Sequence, residues 1–245
     1  MARFFVEVAY DGTRYSGFQK QDNAVTIQSE VEQALLTYYR KTYDLTGASR
    51  TDAGVHAYQN FFHFDDESSI YNDKDLYHLN RILPLDIVIK NLFQVTDDRH
   101  CRFDAVSRQY EYVITNKKDP FLTGKAFYFP YNLDVEKLND SCNILLMHKN
   151  FESFSKKNNQ VFTYNCDLFL AIWTYSNNKL LFNISGSRFL RGMVRGVVGT
   201  MLKVGTGKIS LQDFEDIILA KDCARANFAV RPWGLYLKGI TYSAG

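Results

Sequence analysis

The sequence lacks the motifs with which many enzymes hold a nucleotide cofactor or activate a nucleophile. It contains no P-loop, no dinucleotide-binding glycine fingerprint and no serine or cysteine nucleophile motif. Its four cysteines lie far apart and show neither the spacing of a metal site nor that of a redox pair. The five histidines also lack metal-ligand spacing and are interpreted as structural. We therefore expect no cofactor, no metal and reduced thiols in a cytoplasmic protein.

The chain also has no apolar run long enough to span a bilayer. Its first residues, Met-Ala-Arg-Phe-Phe-Val-Glu-Val, lack the apolar segment and cleavage site of a signal peptide and have the alternation of a strand. The net charge is only +2, so a nucleic-acid partner would have to bind a local basic patch. We expect no membrane partner.

Aromatic residues, by contrast, are plentiful. The 245 residues include 16 tyrosines and 19 phenylalanines, and 46% of the chain is hydrophobic, which is enough for a sizeable core. Most of these rings are expected in that core. Exposed rings beside basic residues are suited to stacking on nucleobases.

Periodicity predicts the secondary structure. Residues that alternate between apolar and polar predict strands, and apolar residues at helical spacing predict helices. Asp73 is expected to cap the second helix, and Ser210 to Asp213 form a capping box before the last. The predicted strands are 3–10, 43–45, 58–64, 86–95, 107–115, 167–175, 179–185 and 235–242, and the predicted helices are 27–38, 73–83, 135–146, 188–204 and the segment after 210.

This order of elements predicts an α+β fold. It consists of two pseudo-symmetric, ferredoxin-like split-βαβ layers that share a mainly antiparallel sheet, with helices packed against it. The turn Asn116-Lys-Lys-Asp-Pro120 is interpreted as a hinge. The expected halves are therefore residues 1–115, with the loop described next, and residues 120–245, with an arginine-rich helix.

The densest group of chemically active residues is Gly47-Ala-Ser-Arg-Thr-Asp-Ala-Gly-Val-His-Ala57. Asp52 lies at its centre, with Arg50 before it and Gly54 and His56 after it. The flanking segments are strand-like, so we expect a rigid loop that presents the acid. The alternative is an ordinary surface turn capped by the aspartate.

A second informative stretch runs from Arg188 to Thr200. A continuous helix would place Arg188, Arg191 and Arg195 on one side. Three glycines in the same stretch would each cost about 1 kcal/mol against alanine in a helix, so we expect a close backbone or a bulky ligand beside them. Arginine can fork onto a phosphate or keep a buried carboxylate ionised. Simple helix packing with a solvated arginine row remains the alternative.

Tyr110, in the middle of a predicted strand, is a third candidate. A tyrosine ring can stack on a nucleobase and offer its hydroxyl group. Core packing is the alternative, and periodicity does not separate Tyr110 from Tyr112.

Together these stretches resemble the tRNA pseudouridine synthase A family. Four blocks carry the resemblance in family order from residue 10 to residue 237, and the second is the most specific. They are Tyr10-Asp-Gly-Thr-Arg-Tyr-Ser-Gly-Phe-Gln-Lys-Gln21, Arg50-Thr-Asp-Ala-Gly-Val-His-Ala57, Phe189-Leu-Arg-Gly-Met-Val-Arg195 with Val198-Gly-Thr200, and Gly234-Leu-Tyr-Leu237.

The resemblance implies a homodimeric isomerase that converts uridine to pseudouridine at positions 38, 39 and 40 of the tRNA anticodon stem-loop, without a cofactor. It makes Asp52 the catalytic aspartate, paired with Arg195. Tyr110 would stack on the target uracil, Arg50 would admit the flipped nucleotide, and Leu237 would contact the substrate. Asp52 could attack C1′ or the base, or take the 2′ proton; the sequence leaves these routes open.

Some positions depart from the family pattern. Ser49 replaces a glycine, Arg99-His-Cys-Arg-Phe103 matches only partly, and Ala229-Val-Arg-Pro-Trp233 replaces an Ala-Pro-Pro run. Gly192 and Gly196 stand where larger residues are usual. These differences leave the set of target uridines open.

Two other functions fit parts of the sequence. One is a non-catalytic RNA-binding protein on the same scaffold. The other is a glycoside hydrolase, which needs a second carboxylate, for which Asp65, Asp66 and Glu67 are candidates. We also expect a basic cleft and a tRNA affinity that falls steeply with salt. The predicted cleft residues are Arg14, Lys20, Arg50, Arg188 and Arg191.

Overall fold

The computed structural model describes residues 1–67, 72–156 and 162–243. These residues form nine strands and five α-helices, and the α+β prediction is confirmed. No helix within these ranges is long and apolar enough to cross a membrane. The strands are β1 (Ala2–Tyr10), β2 (Thr46–Gly47), β3 (His56–Asp66), β4 (Ile87–Val95), β5 (Ala105–Thr115), β6 (Phe127–Tyr128), β7 (Leu168–Ser176), β8 (Lys179–Gly186) and β9 (Leu235–Tyr242), and the helices are α1 (Ile27–Tyr39), α2 (Asp73–Ile82), α3 (Val135–Met147), α4 (Met193–Gly205) and α5 (Leu211–Leu219).

The chain divides into two compact units whose bounds differ from the expected halves 1–115 and 120–245. The first unit comprises residues 1–106 and 236–245, and the second comprises residues 107–235. The last strand therefore belongs almost entirely to the first unit, because its residues pair with β3. The turn at Asn116–Pro120 lies inside the second unit rather than at its boundary.

The first unit is a sheet in the order β4-β1-β3-β9, with β2 on β3. The pairs β4-β1 and β1-β3 are antiparallel, and β3-β9 is parallel. One face is apolar because Phe4 and Val6 of β1 lie opposite Phe64 and Phe62 of β3. All four are buried, together with Leu35 of α1 and Leu79 of α2. Alternation along β1 thus turns one face of the strand toward the helices.

The second unit is the antiparallel sheet β5-β8-β7, with the short strand β6 parallel to β5. Its core lies between the sheet and α3, α4 and α5. Tyr112 and Phe182 on neighbouring strands are fully buried there, as are Leu138, Val197 and Phe214 on the three helices. The predicted capping box holds the start of α5, since Ser210 accepts from the Asp213 amide and Asp213 accepts from the Ser210 amide.

Three local predictions were wrong. Residues 43–45 are not a strand; the pairing with β3 begins at Thr46 instead. Asp73 does not cap α2, because Asn72 occupies the cap position and accepts from the Lys74 amide. The helix predicted from residue 188 begins only at Met193, since Gly192 lies in the left-handed region with φ +75° and interrupts the helical path.

Candidate active site

The loop that carries Asp52 is a tight turn between β2 and β3 in the first unit. The Val55 amide donates to the Asp52 carbonyl at 3.1 Å, and Gly54 has φ +77°. Only glycine takes this conformation readily, so Gly54 allows the chain to reverse directly after the acid. Asp52 itself is partly exposed. The prediction of a rigid loop that presents the aspartate therefore agrees with the local geometry.

A buried polar network lies beneath this turn. Asn60 of β3 is fully buried, and its Nδ2 donates to the Ser49 carbonyl at 2.8 Å and to the Tyr10 hydroxyl at 3.2 Å. The Tyr10 hydroxyl also bonds the Thr51 hydroxyl at 2.8 Å. Hydrogen bonds of buried groups are costly to break, so this network fixes the residues on both sides of Arg50.

The glycine-containing loop after β1 braces the same turn from another side. The Gly12 amide donates to Nδ1 of His56 at 3.1 Å, and the Phe18 amide donates to the Thr51 carbonyl at 3.1 Å. The Phe18 ring stacks on Phe62 at 4.3 Å between centroids, which anchors the loop in the core. The main chain of this loop therefore supports the turn that carries Asp52.

The predicted basic residues of the first unit differ in their partners. Arg14 forms an ion pair with Asp86, and Lys20 forms one with Glu32, each at 2.7 Å. Arg50 is exposed, and no carboxylate within the described ranges pairs with it. Arg50 is therefore the cation of this set best placed to bind an anionic ligand without first breaking an ion pair.

Tyr110 and Arg195 both lie in the second unit. Tyr110 on β5 is buried, with its ring edge-to-face against Phe189 at 5.1 Å. Arg195, in the first turn of α4, donates from Nε and Nη2 to the Val230 carbonyl at 3.1 and 2.9 Å. Tyr112 is buried too, and its hydroxyl donates to the Arg231 carbonyl at 2.6 Å. Burial of the ring raises the pKa of Tyr112.

The arginine row predicted on one side of a helix does not form. Arg188 and Arg191 precede α4, and only Arg195 lies within it. The expected close backbone is confirmed at Gly199, where a side chain would collide with the Asn227 carbonyl; at Gly196 a side chain would instead meet the Phe228 ring at 2.7 Å. The segment around Asn227 thus packs closely on the helix.

Leu237 of β9 is fully buried and lies beside Ala57 in the parallel pairing with β3. Ala57 lies five residues after Asp52. Leu237 is therefore held beside the strand that leaves the Asp52 turn, with its side chain in the core, and its contact with the substrate stays a prediction.

Two of the three acids considered for a glycoside hydrolase, Asp65 and Asp66, have structural partners. Asp65 accepts two hydrogen bonds from Arg3, and Asp66 accepts from Lys41 and the Tyr43 hydroxyl. Asp65 also lies nine residues beyond His56 on β3, which is roughly 30 Å along a strand. The two carboxylates of a glycosidase lie roughly 5–10 Å apart, so the position of Asp65 on β3 does not suit a pair with Asp52.

The fold brings together His63, His100 and Cys101, a cluster that the sequence spacing did not reveal. Their potential ligand atoms lie within 4.8 Å of one another. Nδ1 of His100 accepts the amides of Arg102 and Phe103 at 3.1 and 3.3 Å. Its proton then sits on Nε2, so the ring offers no lone pair for a metal. The Cys101 thiol likewise donates to the Thr46 carbonyl, and the cluster serves as hydrogen-bonded packing.

Acid should destabilise the protein through His63. Burial lowers the pKa of His63 to about 4, against about 6.5 in the unfolded chain. Between these values the unfolded chain binds a proton that the folded chain does not, so stability falls as the pH drops from about 6.5 to about 4. We expect His63→Gln to remove about 1–3 kcal/mol of this loss in urea unfolding at pH 7 and pH 4.5. The exposed His78→Gln should keep it; equal slopes in both variants would contradict the prediction.

Sequence reasoning missed Asn60 and the bracing role of Gly12. A signal for Asn60 was present, because it is a polar residue at an inward-facing position of an aromatic strand. Such a residue needs buried partners. No comparable local signal marked Gly12, since its partner His56 lies 44 residues away.

Comparison with known proteins identifies the chain. A family model described as tRNA pseudouridine synthase matches residues 7–104 and 145–243. The chain is 43% identical to tRNA pseudouridine synthase A of Porphyromonas gingivalis, over 99% of this chain and 98% of that protein. It is 41% identical to the Parabacteroides distasonis protein of the same name and 36% identical to that of Caldicellulosiruptor bescii, with 99% of this chain covered and 96% and 100% of theirs. The chain therefore belongs to the tRNA pseudouridine synthase family, whose members are isomerases that convert uridine to pseudouridine in tRNA.

Proposed function

We propose that this isomerase modifies uridines 38, 39 and 40 in the anticodon stem-loop of tRNA and that Asp52 is its catalytic residue. The observation that carries the proposal is the turn at Asp52, which is fixed by Asn60, Tyr10 and Thr51 while the acid stays partly exposed. A reacting group must be held in place and remain open to substrate, and this turn meets both needs.

The reaction is an intramolecular exchange of bonds. The bond between N1 of uracil and C1′ breaks, the base turns, and C5 bonds to C1′. The proton lost from C5 is balanced by one gained at N1. No oxidant, reductant or water is consumed, so acid–base and nucleophilic groups of the chain suffice. Asp52 acts either as the nucleophile or as the base that takes the 2′ proton.

Tyr110 and Arg195 act with Asp52 on the same uridine. Tyr110 stacks on the uracil. Its edge-to-face contact with Phe189 supports this role, because that contact holds the ring in one orientation. Arg195 supplies the positive charge that pairs with the Asp52 carboxylate. Its two hydrogen bonds to the Val230 carbonyl fix the direction of its guanidinium group before substrate arrives.

The ion pairs of the basic residues indicate which of them are available to bind RNA. Arg50, Arg188 and Arg191 bind tRNA phosphates, since no carboxylate among the described residues pairs with them. Arg14 and Lys20 contribute less, because each must leave an acid to bind RNA. A flipped uridine costs a few kcal/mol to extrude, and these contacts offset that cost.

The experiment is to incubate the protein with unmodified tRNA transcripts that carry uridines at 38, 39 and 40, and to map pseudouridine by base. Conversion at these positions supports the proposal. Conversion elsewhere keeps the chemistry but contradicts the anticodon assignment. No conversion in any tRNA would favour the binding-only function, and release of free uracil would favour the glycoside hydrolase.

We also propose a homodimer in the cytoplasm. The outer face of the first unit's sheet has a hollow of about 330 Å³ beside Phe93, which is exposed, and Tyr242, which is partly exposed, and such exposed rings favour contact with a second copy. Each of the four cysteines is described and is a free thiol, as in a reducing compartment. Sedimentation and cell fractionation test these points; a monomer at micromolar concentration or a secreted pool would count against them.

A further inference from the structure

The segment Val230–Trp233 is fixed beside Arg195. The Val230 carbonyl accepts both hydrogen bonds from Arg195, and the next carbonyl, that of Arg231, accepts the Tyr112 hydroxyl at 2.6 Å. Pro232 then begins a short 3-10 turn that ends at Gly234. The main chain of this segment is therefore held in place on the arginine that we assign to catalysis.

The Arg231 side chain is exposed on this segment and carries its positive charge over the Trp233 ring. Arg231 is exposed, and its guanidinium carbon lies 5.5 Å from the centre of the Trp233 ring. No carboxylate in ranges 1–67, 72–156 and 162–243 forms an ion pair with it. A guanidinium stacked on an indole keeps its N–H donors at its edge, where they are available to an anion.

We propose that Arg231, ordered by Trp233, binds a backbone phosphate of the tRNA close to the target uridine, a contact that depends on the proposed function because the phosphate belongs to that substrate. Arginine binds phosphate through two parallel N–H donors, and prior ordering lowers the entropy lost on binding. Because Val230 joins this segment to Arg195, the phosphate lies near the reacting nucleotide rather than at a distant part of the tRNA.

Arg231→Ala tests the contact without disturbing the loop, since the Arg231 carbonyl that accepts the Tyr112 hydroxyl is retained. We expect the Kd for unmodified tRNA to rise about tenfold in 150 mM salt. The plot of log Kd against log salt should become shallower by about 0.7–1, the contribution of one phosphate. Arg231→Lys should keep the salt slope, and Trp233→Leu should weaken binding at an unchanged slope.

Lys208→Ala is the matched control. Lys208 also lies over an aromatic ring, 5.8 Å from the centre of Tyr131, but it follows the far end of α4. That end is roughly 15 Å along the helix from Arg195. Its Kd and salt slope should match those of the wild type. An unchanged slope in Arg231→Ala, or the same change in Lys208→Ala, overturns the proposal.

A chemically altered substrate locates the phosphate. Single methylphosphonates, which remove one charge, are placed in turn around the target uridine of a ligated tRNA. At one position the wild type should lose about as much affinity as Arg231→Ala does, and Arg231→Ala should lose nothing further. Additive losses at every position contradict the contact. Pseudouridine formation by the wild type on the unaltered tRNA is measured alongside, so that a failure of the proposed function is seen separately from a failure of this contact.

Discussion

Asp52→Asn should lower kcat for uridine conversion by at least about 10⁴-fold, the loss typical of removing a nucleophile or base. Asparagine has nearly the same shape, and the Asp52 carbonyl that accepts the Val55 amide is unchanged. The network of Asn60, Tyr10 and Thr51 does not use the Asp52 side chain in any of its hydrogen bonds described above. We therefore expect the turn to persist and the Kd for tRNA to stay within about threefold of the wild type.

Single-turnover conversion and filter binding on the same tRNA measure the two quantities. Asp44→Asn is the matched control, since Asp44 is an exposed aspartate of the same unit, outside the catalytic turn. It should leave both quantities unchanged. Conversion by Asp52→Asn at near wild-type rate would remove Asp52 from the chemistry, and parallel loss of binding and conversion would show that the side chain holds RNA instead.

Much of the fold could be predicted from the sequence because its cause is local. Alternation along β1 and β8 reports which side chains face a core, and the capping box at Ser210 reports where α5 begins. The start of α4 could not be predicted in this way. Arg188 to Val204 has helical spacing throughout, and only the left-handed conformation of Gly192 separates the first arginines from the helix. A glycine can adopt either a helical or a left-handed conformation, so its presence in the sequence does not show which one occurs.

The candidate site shows the same division. Asp52 and Gly54 were found because the turn is encoded in neighbouring residues. The sequence did not reveal the ion pairs of Arg14 and Lys20. Asp86 lies 72 residues from Arg14 along the chain, and Glu32 belongs to the helix that follows the loop of Lys20. An isolated cation in a sequence predicts an RNA contact equally well whether or not the fold supplies an acid. Partners distant in sequence therefore decided which of the predicted basic residues remain available.

The loop after β1 is packed so closely on the turn that carries Asp52 that Gly12 admits no side chain. A Cβ at this position would overlap the Val55 carbonyl, which is main chain and cannot rotate away. Val55 belongs to the turn that begins at Asp52. A methyl group at Gly12 must therefore displace either its own loop, with loss of the Gly12–His56 hydrogen bond, or the turn that presents the acid.

Gly12→Ala should consequently lower kcat by about 100-fold, the effect of moving a reacting group by roughly 1 Å, and cost about 1–3 kcal/mol of stability. Gly239→Ala is the control in the same unit, because its nearest neighbour is the flexible end of the Gln59 side chain at 3.2 Å. It should change kcat less than twofold. A folding defect alone would lower the concentration of active enzyme but not the turnover rate of each active molecule. The concentration of active enzyme is therefore determined by titration with tRNA before kcat is calculated. A wild-type kcat in Gly12→Ala would mean that the loop does not set the position of Asp52.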